Sequence, residues 1–307
     1  MSEKVRITIV GMGAIGTSVG MALKKAEPEI EITGHDKAHA IAGQARKRGA
    51  VDRTDWNLIS ACENADVTII TTPIAELKDT LVAAGSYFKS GSLVMDTASV
   101  KAPVLQWAQE NLGDGVSFVG GSPILPGGRR EIDPELFSGA LFCLCPDGGA
   151  SPNAVAWASE LVVTLGAKLL FIDAEEHDGL MAAVGHLPVL LATALLQVAS
   201  ASPAWRESVR LAGDSFANAT MSISGDAASH CALCQSNAQN IVRCLDLIQA
   251  QLAELRQAIV DGNDEALEGA FEAALEARDE WERGEVVPSQ EAVKYDRGFR
   301  SLFLGKL

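Results

Sequence analysis

The chain has 307 residues, more than one hydrophobic core usually organises, and its 48% apolar and 21% charged residues are typical of a folded globular protein. Its formal net charge of −15 argues against nucleic-acid binding, because a protein that neutralises phosphates needs a basic face. We therefore predict two domains and no nucleic-acid partner, while a small anionic substrate would need only a local cluster of cationic groups.

The first half of the chain alternates short β-branched runs with helical patterns, which is typical of a parallel sheet covered by helices on both faces. Helices are predicted in the intervals, for example over residues 18–25 and 104–111. The predicted strands cover residues 5–10, 31–35, 67–71, 92–96, 117–120, 141–145 and 168–172.

After Asp173 the β-rich runs give way to apolar residues at three- and four-residue spacing, which predicts helices. The expected organisation is an α/β domain over 1–173 and an all-α domain over 174–307. Segment 187–199 is apolar nearly all round, so we predict a buried helix that packs against a second copy of the chain. Amphipathic helices are predicted over 238–260 and 264–284, and an irregular tail over 286–307. No apolar run reaches the ~18 residues of a membrane span, so no membrane contact is predicted.

The six cysteines form no disulfide framework, and no secretory signal is recognised ahead of the first strand. A reducing cytoplasm is therefore the expected location. Cys231 and Cys234 make the one C-x-x-C pair, but they lack a second pair and lie in a helical pattern. We interpret them as small apolar helix residues, and no metal site is predicted.

A G-x-G-x-x-G motif follows the first strand directly and opens a helix, which is the context that gives this motif meaning. Gly11 allows a tight turn, Gly13 lets the backbone approach a pyrophosphate, and Gly16 permits close packing of helix on strand. Ala14 and Ile15 complete the loop, whose amide groups and helix N-terminus attract phosphate. The motif predicts a dinucleotide-binding Rossmann unit in a doubly wound parallel sheet.

Asp36 lies at the end of the second strand, twenty residues past the last glycine of the motif. A carboxylate there accepts hydrogen bonds from the adenosine ribose and repels a 2′-phosphate, which favours NAD over NADP. Lys37 and His39 keep some tolerance of NADP, since a nearby cation could accept the extra phosphate. Thr72 and Pro73, directly after the third predicted strand, are further expected cofactor-binding residues.

Later segments resemble a known family in their order and spacing. They are D-T-A-S-V-K at 96–101, F-V-G-G-S-P-I at 118–124, D-P-E-L-F-S-G-A at 133–140, H-D at 177–178 and G-H-L-P at 185–188. Together they resemble the prephenate and arogenate dehydrogenase family across residues 5–259. The resemblance implies an NAD-dependent oxidoreductase on the route to tyrosine that removes hydride from a hydroxyl of a small organic acid, with or without decarboxylation.

Three positions depart from the family pattern. Ser122 stands where relatives carry the histidine that takes the substrate proton, and a serine hydroxyl is too weak a base for that role at neutral pH. Val189 replaces a second histidine, and Met221 aligns with the substrate-binding arginine. Because the family's substrate is a dicarboxylate that needs cationic partners, these changes make ordinary prephenate turnover doubtful.

Ser122 and three other residues are the catalytic candidates that remain. Ser99 and Lys101 follow a parallel strand at the edge where doubly wound sheets bind ligands, and Lys101 is either a group that orients the substrate or a surface lysine that begins a helix. His186 is the imidazole left in a matching motif, so it is either the acid or base or a histidine that satisfies a backbone carbonyl.

Four residues are predicted to line the substrate site: His177, Arg129, Arg130 and Met221. His177 is either a substrate ligand or half of a capping pair with its aspartate neighbour. Arg129 and Arg130 are either the positive charge that Met221 does not supply or a solvated loop face.

Three functions stay open from the sequence. The first is an NAD-dependent dehydrogenase of the prephenate or arogenate type, acting as a homodimer. The second is a member of that family that has diverged to another hydroxy acid or amine. The third is a non-catalytic NAD-binding module that regulates a partner. The substrate, the general base and the direction of the reaction are not determined by the sequence.

Overall fold

The computed structural model describes residues 4–125 and 131–284. Its strands form one eight-stranded sheet in the order β3-β2-β1-β4-β5-β6-β7-β8. The strands are β1 (Arg6–Val10), β2 (Glu31–His35), β3 (Arg53–Thr54), β4 (Val67–Ile70), β5 (Leu93–Asp96), β6 (Ser117–Ile124), β7 (Leu141–Pro146) and β8 (Lys168–Phe171). The helices of this half are α1 (Ala14–Ala26), α2 (His39–Lys47), α3 (Leu58–Cys62), α4 (Ile74–Ala84), α5 (Ala102–Asn111) and α6 (Pro152–Thr164).

The central strands are parallel and buried on both faces, which is why they appear in the sequence as near-continuous β-branched runs. In register, Val10 of β1 lies beside His35 of β2 and Ile70 of β4, and Ile70 lies beside Asp96 of β5. The carboxyl ends of four strands therefore meet at one edge of the sheet, where ligands of doubly wound sheets bind. The predicted α/β fold with a mostly parallel sheet is confirmed.

Two strand predictions are corrected. β3 was missed, because two exposed residues carry no β-branched run. β6 continues to Ile124, and β7 pairs with it antiparallel, which is the one departure from parallel pairing among the described strands. A parallel return needs a crossover connection, usually a helix, whereas residues 131–140, the described part of this connection, contain only turns. Ser122 consequently lies opposite Cys143.

The second half is helical, as predicted. Its helices are α7 (Ala174–Met181), α8 (Leu187–Ser200), α9 (Trp205–Val209), α10 (Asp214–Thr220), α11 (Ala227–Ser236), α12 (Ala238–Asp261) and α13 (Asp264–Arg283). Within one chain only Ala192 of α8 is buried and Val198 is 76% exposed, so the predicted burial of this helix would require the second copy of the chain that the sequence also predicts. The predicted tail over 286–307 lies outside the described residues.

A π-helical turn, Ala182–His186, joins α7 to α8 without a break. The resulting helix, Ala174–Ser200, is long and apolar enough by length and composition alone to cross a membrane. No such span is predicted from the sequence, where only the apolar run that begins at residue 187 is considered. In the structure α7 extends this run, so the continuous helix is longer than the sequence prediction assumes. Within this helix His177 and Asp178 are buried in the protein, where Asp178 contacts the start of α5.

Candidate active site

The glycine turn between β1 and α1 is built for a close-approaching ligand. Gly11 has a φ of +93°, and a Cβ added at Gly16 would lie 2.0 Å from the Gly11 carbonyl oxygen, so neither position accepts a side chain. A Cβ at Gly13, in contrast, would meet nothing within 4 Å. Gly13 is also the N-cap of α1 and supplies no side-chain cap, so the first amides of the helix, at Ala14 and Ile15, stay available to an anion.

Asp36 joins the end of β2 to this turn. Its Oδ2 accepts a hydrogen bond from the Met12 amide at 2.8 Å, and its Oδ1 accepts one from the Ala38 amide at 2.8 Å. Each carboxylate oxygen keeps a further lone pair, which suits the hydroxyls of a ribose. Thr72 adds a buried Oγ1 without a partner among the described residues, and Pro73 is the N-cap of α4. The residues present therefore fit the adenosine and pyrophosphate of NAD.

A buried ion pair fixes the neighbouring strand ends. The Lys101 side chain is fully buried, and its Nζ donates to Asp96 Oδ2 at 2.5 Å and to the Gly121 carbonyl oxygen at 2.6 Å. Asp96 Oδ1 accepts from the Gly121 amide at 3.1 Å. The alternative of a surface lysine is therefore wrong. The ammonium holds β5 against β6, one residue before Ser122.

Asp178 caps a helix of the other domain. Its carboxylate accepts hydrogen bonds from the amides of Lys101 at 2.7 Å and Ala102 at 2.9 Å, which are the first amides of α5. His177 Nδ1 lies 2.9 Å from Asp178 Oδ1. Because a carboxylate only accepts, Nδ1 carries a proton, and a neutral ring would present the lone pair of Nε2. That Nε2 is buried and has no partner within the part of the chain that the structure describes.

His186 uses both ring nitrogens inside the protein. Its Nε2 donates to the Ser99 carbonyl oxygen at 3.2 Å, and its Nδ1 accepts from Asn237 Nδ2 at 3.2 Å. Asn237 Nδ2 also donates to the Asp178 carbonyl oxygen at 2.8 Å. Burial lowers the pKa of His186 below its usual value, which favours the neutral ring. The contact with a backbone carbonyl is the second of the two interpretations that the sequence left open.

The remaining predicted site residues are not all brought together. Ser122 is buried in β6, and Ser99 lies half-buried in the loop between β5 and α5. Met221 follows α10 and is 63% exposed. Arg129 and Arg130 lie outside the described residues.

Three residues of this network were not singled out from the sequence. Asp96 and Asp178 stand inside the family-like segments D-T-A-S-V-K and H-D, so their motifs contained the signal. Asn237, which joins His186 to α7 from the start of α12, follows no motif, and only the tertiary structure identifies it.

The cysteines contribute no reactive group to this edge. Burial raises the pKa of Cys143 to about 11 and that of Cys145 to about 12, so both remain thiols at neutral pH. Cys231 and Cys234 lie in α11, as the helical interpretation of this pair expects, and all six cysteines are free thiols. Among the described residues no group of three metal-ligating side chains occurs.

Comparison with known proteins identifies the family. Residues 19–171 match the family model of the nucleotide-binding domain of prephenate dehydrogenase, and residues 173–273 match that of its dimerization domain. The chain belongs to the prephenate dehydrogenase family. It is therefore an NAD-dependent dehydrogenase, as the glycine turn and Asp36 indicate independently. The first match begins after the glycine motif, so the assignment of that turn rests on its own geometry.

Named relatives cover most of the chain. A prephenate dehydrogenase of Lactococcus lactis is 28% identical over 89% of this chain and 76% of its own length. A cyclohexadienyl dehydrogenase of Zymomonas mobilis is 26% identical over 89% of this chain and 94% of its own length. The solved prephenate dehydrogenase of A. aeolicus, in complex with hydroxyphenyl propionate and NAD⁺, has a TM-score of 0.81 at 20% identity, covering 91% of this chain and 99% of that one. These structures share the fold of the family.

Proposed function

We propose that this family member oxidises prephenate or arogenate, transferring hydride to NAD with loss of CO₂. The observation that carries the proposal is the pair of family matches, which run almost without a gap from residue 19 to residue 273. When bound, NAD supplies the hydride acceptor. The residues that would hold it are the glycine turn, through its amides, and Asp36, through the ribose hydroxyls.

His177 is, in this proposal, the group that accepts the proton of the substrate hydroxyl. The aspartate beside it fixes its tautomer and leaves Nε2 bare, an arrangement that suits a general base. His186 and Lys101 act as positioning residues, because their polar atoms are already engaged within the protein. Ser99 and Ser122 are assigned to hydrogen bonding with the substrate.

Replacing His177 with asparagine keeps a donor for Asp178 but removes the base. We expect kcat to fall by a factor of about 10² to 10⁴, with the NADH dissociation constant unchanged within about twofold. His39→Asn, on an exposed helix start, is the matched control. A kcat within about threefold of the parent value in His177→Asn would assign the proton to another group.

A homodimer in the cytoplasm completes the proposal. The second family model is a dimerization domain, and α8 leaves Val198 76% exposed and Leu195 39% exposed within one chain. Covering such a surface with a second copy removes apolar area from water. Packing against a second copy would also explain why the helix Ala174–Ser200 is as long and apolar as a membrane-spanning helix. Six free thiols are in keeping with a reducing compartment.

The substrate assignment is tested by following NADH formation with prephenate and with arogenate. We expect turnover of at least one of them, and a rise in kcat of at least about tenfold in Ser122→His, because an imidazole at this position would supply a second proton acceptor beside His177. Adding Met221→Arg should lower KM through a charge-assisted contact with a substrate carboxylate. Ser86→His, an exposed serine before β5, controls for a nonspecific effect of an added imidazole.

Two outcomes would replace this proposal with another. A background rate on both substrates that the double variant Ser122→His with Met221→Arg restores would show divergence to another acid or amine. Tight NADH binding without oxidation of any member of a hydroxy-acid panel, even in the double variant, would favour the regulatory NAD-binding module.

A further inference from the structure

The cation beside the ribose carboxylate is already paired. Lys37 follows Asp36 in sequence, and its Nζ donates to Glu76 Oε1 in the first turn of α4. Glu76 lies only a few residues beyond Thr72 and Pro73, at the carboxyl end of β4. The ion pair therefore joins the two strand ends that border the adenosine side of the glycine turn. A 2′-phosphate would have to take Lys37 away from this carboxylate.

A third acidic group comes from the helical domain. Asp226 is the N-cap of α11, where Oδ1 accepts from the Ser229 amide at 2.8 Å and Oδ2 accepts from Ser229 Oγ at 2.7 Å. These hydrogen bonds lower the pKa of Asp226, so it is ionised at neutral pH. Helix α11, which Asp226 begins, packs against α4, the helix that carries Glu76.

The charges of three carboxylates act on Lys37. Its pKa is raised, first by the hydrogen bond and charge of Glu76 and then by the charges of Asp36 and Asp226. Three carboxylates and one ammonium leave this corner with two net negative charges. A 2′-phosphate brings about two more negative charges.

We propose that Glu76 and Asp226 act with Asp36 to exclude NADP, so that both domains determine the cofactor specificity of this enzyme. Lys37 consequently offers no free positive charge to a phosphate, although the sequence alone suggests one. The proposal concerns the nucleotide and is independent of which acid is oxidised. In this proposal Glu76 and Asp226 are specificity-determining residues. Exclusion of NADP then depends on them as well as on Asp36 at the end of β2.

The test measures binding of NADH and NADPH by nicotinamide fluorescence in Glu76→Gln, Asp226→Asn and the double variant. Asparagine is as good an N-cap as aspartate, and an exposed ion pair contributes little to folding, so these variants should stay folded. Unfolding curves check this directly. Asp114→Asn, which removes one exposed carboxylate away from this corner, is the charge-matched control.

We expect the ratio of the NADPH to the NADH dissociation constant to fall by about fivefold in each single variant and by more than tenfold in the double variant. The NADH dissociation constant should change by less than about twofold, and the gain for NADPH should shrink at 0.5 M salt because the interaction is electrostatic. Adding Lys37→Met to the double variant should abolish the gain.

A ratio in the double variant within twofold of the parent, or an equal change in Asp114→Asn, would overturn the proposal. If the improved NADPH binding of the double variant is lost when Lys37 is also replaced, the improvement comes from the freed Lys37 ammonium. A general change in net charge would not depend on Lys37. Failure of the parent protein to oxidise prephenate or arogenate would leave this result unaffected, since the measurement contains no acid substrate.

Discussion

Lys101→Met is expected to lower the free energy of unfolding by about 3–5 kcal/mol, because it leaves the buried charge of Asp96 without its partner. The Asp96 carboxylate would retain only backbone donors, the amides of Ala98 and Gly121. Urea unfolding of the parent and the variant measures the difference. The same change should reduce kcat, since Lys101 fixes the carbonyl of Gly121 next to Ser122.

The matched control is Lys89→Met. Lys89 pairs with Asp66 on the surface, and the lysine side chain is 52% exposed. Such a pair contributes about 0–1 kcal/mol, so the control should be nearly neutral. Equal losses of stability in the two variants would show that the buried Lys101–Asp96 pair contributes no more to stability than an exposed ion pair.

Gly13→Ala and Gly16→Ala should both abolish tight NADH binding, but for different physical reasons. At Gly16 the new methyl group would collide with the backbone at Gly11, so we expect lost stability as well as lost binding. At Gly13 the methyl group would meet only open space in the protein and would obstruct the pyrophosphate. Gly13→Ala should therefore weaken NADH by at least about a hundredfold with an unchanged unfolding curve.

Fluorescence titration and urea unfolding, measured on the same preparations, separate the two effects. Gly43→Ala, in α2, adds a methyl group that would also meet nothing within 4 Å, and it should leave NADH binding unchanged. Normal NADH affinity in Gly13→Ala would exclude this turn as the pyrophosphate site.

In the helical half, the residue pattern predicts where a helix forms but not which surface covers it. The apolar run at 187–199 predicts its helix to within one residue, because local spacing governs helix formation. The same run does not determine how the helix is covered, because burial depends on which surfaces are available to pack against it. A second copy of the chain, which the sequence also suggested, is the cover that the dimerization-domain match supports.

The antiparallel β7 is a second example. Its residues predict a strand, but strand direction depends on the path of the preceding connection and on the pairing that the partner strand offers. No pattern within 141–145 contains that information.

The sequence by itself determined the α/β fold, the glycine turn, Asp36 and the family, because each depends on residue types at fixed spacing along one stretch of chain. Only the tertiary structure decided the states of Lys101, His177, His186 and Lys37. Their polar atoms are engaged by Asp96, Asp178, Asn237 and Glu76, and the last two partners lie 51 and 39 residues away from the groups they contact. A side chain's protonation and availability follow from the neighbours that folding supplies, and sequence spacing does not specify those neighbours.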